Sequence, residues 1–186
     1  LWVGVFGVAT VQQYAALLAI PSLLAASLVQ EGTKLLVAIV ALRRLGEQRN
    51  PRAGLALGAA AGAGYGGFEA FWVFNLIFAS GFSLAMVQLS GLGALLGFVE
   101  RFFTVPFHIG AAALSGYGYT TGRTLRFLLL AVGLHTIGNY GVVLLQTGVL
   151  DAVGVEVWVA ILALVTIGGA TWLRWRVERA RPPGDE

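Results

Sequence analysis

The sequence predicts an all-α fold, a polytopic membrane helical bundle of about six transmembrane helices, and three observations predict it. Of the 186 residues, 58% are hydrophobic and 11% charged, with a mean hydropathy of +0.81; ordinary globular domains are roughly 45–50% apolar and about 25% charged. Apolar runs recur between short breaks, and each is long enough to cross ~30 Å of hydrocarbon. Basic residues cluster in alternate breaks only, as topology signals do. At ~20 residues per span the chain holds one transmembrane domain, residues 1–186, with no room for a separate soluble one.

The elements follow in order. Residues 1–20 form the first run, closed by Pro21, and residues 22–45 the second, closed by Asn50-Pro51. Residues 53–80 form the third, closed by Ser80-Gly81, and 92–114 the fourth, followed by a Gly/Tyr/Thr stretch over 115–122 that reads as a loop or a frayed helical end. Residues 124–146 and 153–173 complete the count, with 174–186 a basic cytoplasmic tail. The stretch 81–91 is apolar yet punctuated by Gly and Ser, which suits a re-entrant or interfacial piece. Within the third run, Gly58-Ala-Ala-Ala-Gly62 sets small residues at i, i+4 and predicts a close helix-packing face.

Orientation follows from arginine. Arg43, Arg44, Arg49 and Arg52 lie between runs two and three, Arg123 and Arg126 between four and five, and Arg174, Arg176, Arg179 and Arg181 after six, whereas the breaks near Gly81 and Asp151 hold no Lys or Arg. This alternation predicts a multi-pass plasma (inner) membrane protein with a cytoplasmic C-terminus. Arginine dominance with abundant Gly and Ala is the composition expected of a GC-rich bacterial genome. The chain opens at Leu1 without Met, as expected where the start is missing or cleaved, and shows no signal-peptide n-region.

With no cysteine, thiolate chemistry and disulfides are excluded, leaving carboxylates and two histidines as strong metal ligands. The pI of about 9.7 comes from basic clusters flanking apolar runs, so membrane lipid rather than nucleic acid is the expected partner.

Ionisable groups inside spanning helices are costly and face the bundle interior, pair with one another or mark a functional path. This chain carries Glu31 and Lys34 on the second run, Glu69 on the third, Glu100, Arg101 and His108 on the fourth, and His135 with Asn139 on the fifth. Glu31 and Lys34 share a face at i, i+3. Arg101, Val105 and His108 form one stripe, and His135, Asn139 and Gln146 another. Glu100 and Arg101 are adjacent, point in different directions and are not expected to pair. At ~1.5 Å per residue from the nearest arginine, the depths are roughly 18 Å for Glu31, 26 Å for Glu69, 23 Å for His108 and 18 Å for His135, which permits one shared site if the fourth helix continues through Gly116 and Gly118. Each group also has a bland reading. Glu31 with Lys34 can be a self-neutralising pair, either histidine a satisfied interhelical bond, and Tyr65 a packing residue; Glu69 alone lacks a basic partner on its own helix.

Four short motifs then resemble a family. Gln30-Glu31-Gly32-Thr33-Lys34 resembles the EExxK motif of PrsW-like intramembrane peptidases, with Gln30 at the first Glu. The segment from Gly62 to Ala70, ending on Phe68-Glu69-Ala70, resembles the glycine-rich GxGxxxxE motif of that family and its YhfC-like relatives, with Ala70 where Asn is usual. Glu100-Arg101 with Pro106 and His108 resembles the third motif, and Leu134-His135-Thr-Ile-Gly-Asn139 the HxxxN motif shared with CAAX-prenyl-protease-like enzymes. The resemblance spans residues 30–139.

What it implies is a peptidase acting on a membrane-embedded or membrane-adjacent peptide, with Glu31, Glu69, His108, His135 and Asn139 catalytic and Lys34, Glu100 and Arg101 supporting. Either Glu69 or Glu31 is then the general base, with a histidine and Asn139 as oxyanion donors. Alternatively Glu69, His108 and His135 hold a divalent metal, zinc first, with a position open for water. No HExxH helix is present to choose between these. Two other classes stay open: a six-helix transporter or solute-binding subunit, and an inactive scaffold, which the departure at Gln30 favours.

Overall fold

The structure, a computed structural model, describes residues 14–180. Five long helices carry the fold: α1 (Ala15–Arg44), α2 (Pro51–Ala79), α4 (Leu96–Thr120), α5 (Thr124–Gln146) and α6 (Ala152–Arg179). A short α3 (Leu84–Ser90) and a 3-10 turn (Gly91–Leu95) lead into α4, and among the described residues there is no strand.

The all-helical expectation holds, but the count of about six spans is corrected. Among the described residues, four stretches are long and apolar enough to cross a membrane: Ala15–Arg44, the α3–α4 stretch Leu84–Thr120, Thr124–Gln146 and Ala152–Arg179. α2 matches them in length but is not one of the four. The first expected run lies mostly outside the described residues, as does the end of the tail. Its remainder belongs to α1, which passes through Pro21 instead of ending there. Proline removes one ladder bond, to the carbonyl four residues back, and at Pro21 that carbonyl sits in the first turn of α1, where little ladder is lost.

Two other ends move. α4 continues through Gly116 and Gly118 to Thr120, because packing overrides the weak helix propensity of glycine. There Gly116 abuts the Gly54 carbonyl, and a Cβ on Gly118 would strike the Phe127 ring. α6 runs past its expected end to Arg179, so the start of the tail is helical; Arg174 pairs with Glu178 at 2.8 Å, and Arg176 and Arg179 lie over Trp172 and Trp175. Helix starts follow their caps. Asn50 accepts from the amides of Arg52 and Ala53 with Pro51 at the first turn, and Asp151 accepts from Gly154 N at 2.7 Å.

The expected small-residue face forms the spine of the bundle. Gly54, Gly58, Gly62 and Gly66, one turn apart on α2, meet α4 in antiparallel register: Gly116 and Thr120, then Ala112, then the His108 carbonyl, then the His108 side chain and Val105. A Cβ at any of the first three would collide with backbone or with Thr120, so only glycine permits this approach. On the other side of α4, Gly110 abuts the Thr166 backbone of α6. α1 and α5 close the bundle, tied by Tyr140 Oη donating to the Ala16 carbonyl at 3.1 Å.

Candidate functional site

Seven ionisable side chains from four helices join into one chain of contacts. Glu31 Oε1 accepts from Lys34 Nζ at 2.5 Å and from His135 Nδ1 at 2.6 Å. Lys34 Nζ also reaches His108 Nδ1 at 3.0 Å, and His108 Nε2 meets Glu69 Oε2 at 2.9 Å. Arg101 Nη1 donates to the same Glu69 oxygen at 3.1 Å, and its Nη2 donates to Glu100.

These partners fix both imidazole tautomers. An ammonium only donates, so His108 Nδ1 accepts from Lys34 and its Nε2–H donates to Glu69. A carboxylate only accepts, so His135 donates through Nδ1–H and keeps Nε2 as an acceptor. Both contacts of Glu69 fall on Oε2, which leaves Oε1 available to a water.

The exposure of these side chains rises along the chain. Glu31 and Lys34 are 0% and 1% exposed at their side chains, both imidazoles are buried, Arg101 is 11% exposed, and Glu100 and Glu69 are 29% and 31% exposed. A cavity of about 60 Å³, lined by Glu69, Arg101, His108, His135 and Asn139 among others, follows the exposed half. At ~30 Å³ per water it has room for about two. Glu31 Oε2, Arg101 Nε and Ser27 Oγ are buried without a protein partner, as groups that bind water or a ligand are.

Local sequence explains the placement. The helical spacings put Glu31 with Lys34, and Arg101 with His108, on single faces; Gly66 admits the His108 ring, with its Cδ2 only 3.2 Å from where a Cβ would sit. The antiparallel register of α4 on α2 then delivers Arg101 to Glu69, supplying a basic partner from another helix. Glu100 and Arg101, expected not to pair, do pair: backbone directions one residue apart diverge, but the long guanidinium arm swings back across the interval.

All the site residues read from sequence meet here except Gln146, which is exposed. Asn139 lines the cavity beside His135, and Gln30 carries a buried amide oxygen without a protein partner. Tyr65, expected as packing, belongs to the site: its ring lies edge-on to His108 at 5.2 Å, with Lys34 Nζ 5.3 Å from its centre. Its position between Gly64 and Gly66 in the glycine-rich motif was the available signal. Glu156 of α6 is the residue that sequence reasoning missed. It lies close to the start of α6, where an acid looks like an ordinary helix-start residue, yet its Oε2 is buried without a protein partner among the described residues.

The metal set is corrected in composition. Glu31, His108 and His135, rather than Glu69 with the two histidines, offer ligand atoms within 4.8 Å of one another. Against a divalent ion stands Lys34, whose ammonium already contacts Glu31 and His108. With Glu69 holding the other nitrogen of His108, two of the three ligands are engaged, and an ion there would meet a single carboxylate next to a fixed positive charge. The donor types and spacing suit zinc; the arrangement around Lys34 does not.

No family model, curated protein or solved structure matches the chain.

Proposed function

We propose that the bundle is an intramembrane peptidase, of the PrsW/YhfC-like kind that its four motifs resemble, residing in a bacterial inner membrane with its arginine-rich loops in the cytoplasm. The observation that carries the reading is the meeting of Glu69, His108, His135, Arg101 and Asn139 around a cavity with room for water. Amide hydrolysis in hydrocarbon requires such a cavity, a base for the water and donors for the oxyanion.

In this scheme Glu69 Oε1 takes a proton from water, and the water oxygen bonds to the scissile carbonyl carbon. Asn139 and the Arg101 guanidinium donate to the oxyanion that forms. When the C–N bond breaks, the proton held by Glu69 passes to the departing amine. His108 positions Glu69, while Glu31 and Lys34 hold His135 and His108. A zinc ion would supply Lewis acidity between Glu31 and the two histidines, but with Lys34 in place the scheme runs on the side chains alone.

The rival classes fare less well against the same geometry. A solute-binding subunit calls for roughly 300–1,000 Å³, several times the cavity present. A scaffold has no use for seven linked ionisable groups, each costly to bury.

The test is cleavage of single-span peptides in proteoliposomes by the wild-type chain and by Glu69→Gln. Loss of the base is expected to lower the rate by about 10²–10⁴-fold. Unfolding in detergent should shift far less than activity does, because glutamine keeps a side-chain oxygen that can accept from Arg101 and His108. Equal cleavage by both forms would rule Glu69 out as the base.

A further inference from the structure

The helices meet differently at their two ends. Toward the arginine-bearing loops, α2 and α4 touch backbone to backbone along Gly54, Gly58 and Gly62, leaving no path between them. Toward the other end, the rings of Phe74, Phe78, Phe82 and Phe98 stand between the chains, with centroids 5.1–5.9 Å apart. Backbone contact has given way to side-chain spacers.

The cavity extends in that second direction on three of the four helices that line it. Its wall runs from His108 to Glu100 on α4, from His135 to Val142 on α5 and from Leu162 to Val155 on α6. Each of these paths leads from mid-helix toward the end joined by the arginine-free loops. The exposure of the ionisable chain rises the same way, from Glu31 and Lys34 to Glu69 and Glu100. Glu156 is a further acid at that end, electrostatically coupled to Glu100 and Arg101, with a buried oxygen that no protein group satisfies.

We infer that water and substrate enter the site from the arginine-free face, through a vestibule formed by Glu69, Glu100, Arg101 and Glu156. Because arginine-rich loops mark the cytoplasmic side, that face is extracytoplasmic. That a substrate follows this route rests on the peptidase reading; the water path does not.

The chain has no cysteine, so one introduced thiol is the only one that reacts. Thr104→Cys places it in the cavity and Glu156→Cys next to the wall residue Val155, Thr147→Cys in an arginine-free loop and Gln48→Cys in an arginine-rich loop. A membrane-impermeant maleimide is added to intact cells or to lysed ones. The site thiols and Thr147→Cys are expected to label in intact cells at least about tenfold faster than Gln48→Cys, which reacts fully only after lysis. If either site variant fails to fold, the other carries the test. Site thiols that track Gln48→Cys, or that stay unreactive until the protein is denatured, overturn the inference. An inert wild-type protein whose Thr104→Cys form still labels from outside would end the peptidase reading and keep the access route.

Discussion

At the scale of single residues, Lys34 decides most about the site. It bonds both the carboxylate and one imidazole of the set best placed to ligate an ion, so it acts as the resident cation. Lys34→Met should therefore be the form that gains zinc affinity: at about a hundredfold excess over Kd, zinc should raise its unfolding midpoint by about 5–10 °C and leave wild type unmoved. An equal rise in wild type would show that Lys34 yields to the ion. The Glu31–Lys34 pair makes a second claim. Removing either partner strands a buried charge, so Glu31→Ala should cost about 3–5 kcal/mol in detergent unfolding. Adding Lys34→Ala should return part of that loss, whereas additive losses would mean the pair is not coupled. Much at this scale was legible in sequence, because i, i+3 and i, i+7 spacings fix shared faces on any helix. Partner choice across helices was not. The bond of Arg101 to Glu100 and the substitution of Glu31 for Glu69 in the ligand set depend on side-chain reach and helix rotation, which spacing leaves undetermined.

At the scale of elements, the glycine stripe of α2 sets how closely α4 approaches and so where His108 and Arg101 meet Glu69. Gly62→Ala places a methyl group against the His108 carbonyl and should destabilise the bundle by about 1–3 kcal/mol. Gly64→Ala, two residues away with nothing near its Cβ, should instead gain about 0.5–1 kcal/mol of helix propensity. Detergent unfolding of the two variants side by side checks the pair, and a similar sign for both would contradict the register. The Gly58 to Gly62 spacing announced this face. Its continuation to Gly54 and Gly66 becomes visible only with the antiparallel partner in place. Helix ends were read less well where proline and glycine were taken as stops: Pro21 lies where it costs one bond, and Gly116 and Gly118 are held helical by what packs on them.

At the scale of the whole molecule, composition and arginine alternation were enough for an all-helical membrane bundle, because hydropathy and loop charge are read directly from sequence. Six runs were expected, and the described residues hold four candidate spans, the first run lying mostly outside them. What neither composition nor motif could give is the asymmetry of the bundle, tight at the arginine-bearing end and open around the cavity at the other. That asymmetry makes Glu69 a part-exposed carboxylate beside a buried network. The most direct measurement is cleavage of single-span peptides in proteoliposomes made in heavy-oxygen water, followed by mass spectrometry of the new carboxyl termini. The wild-type chain is expected to add one heavy oxygen at each cut within the membrane-spanning part of the peptide, and Glu69→Gln and His135→Ala to produce no such termini above background. Intact peptides after exposure to wild type, or the same labelled termini from all three proteins, would contradict a hydrolytic centre at this cluster.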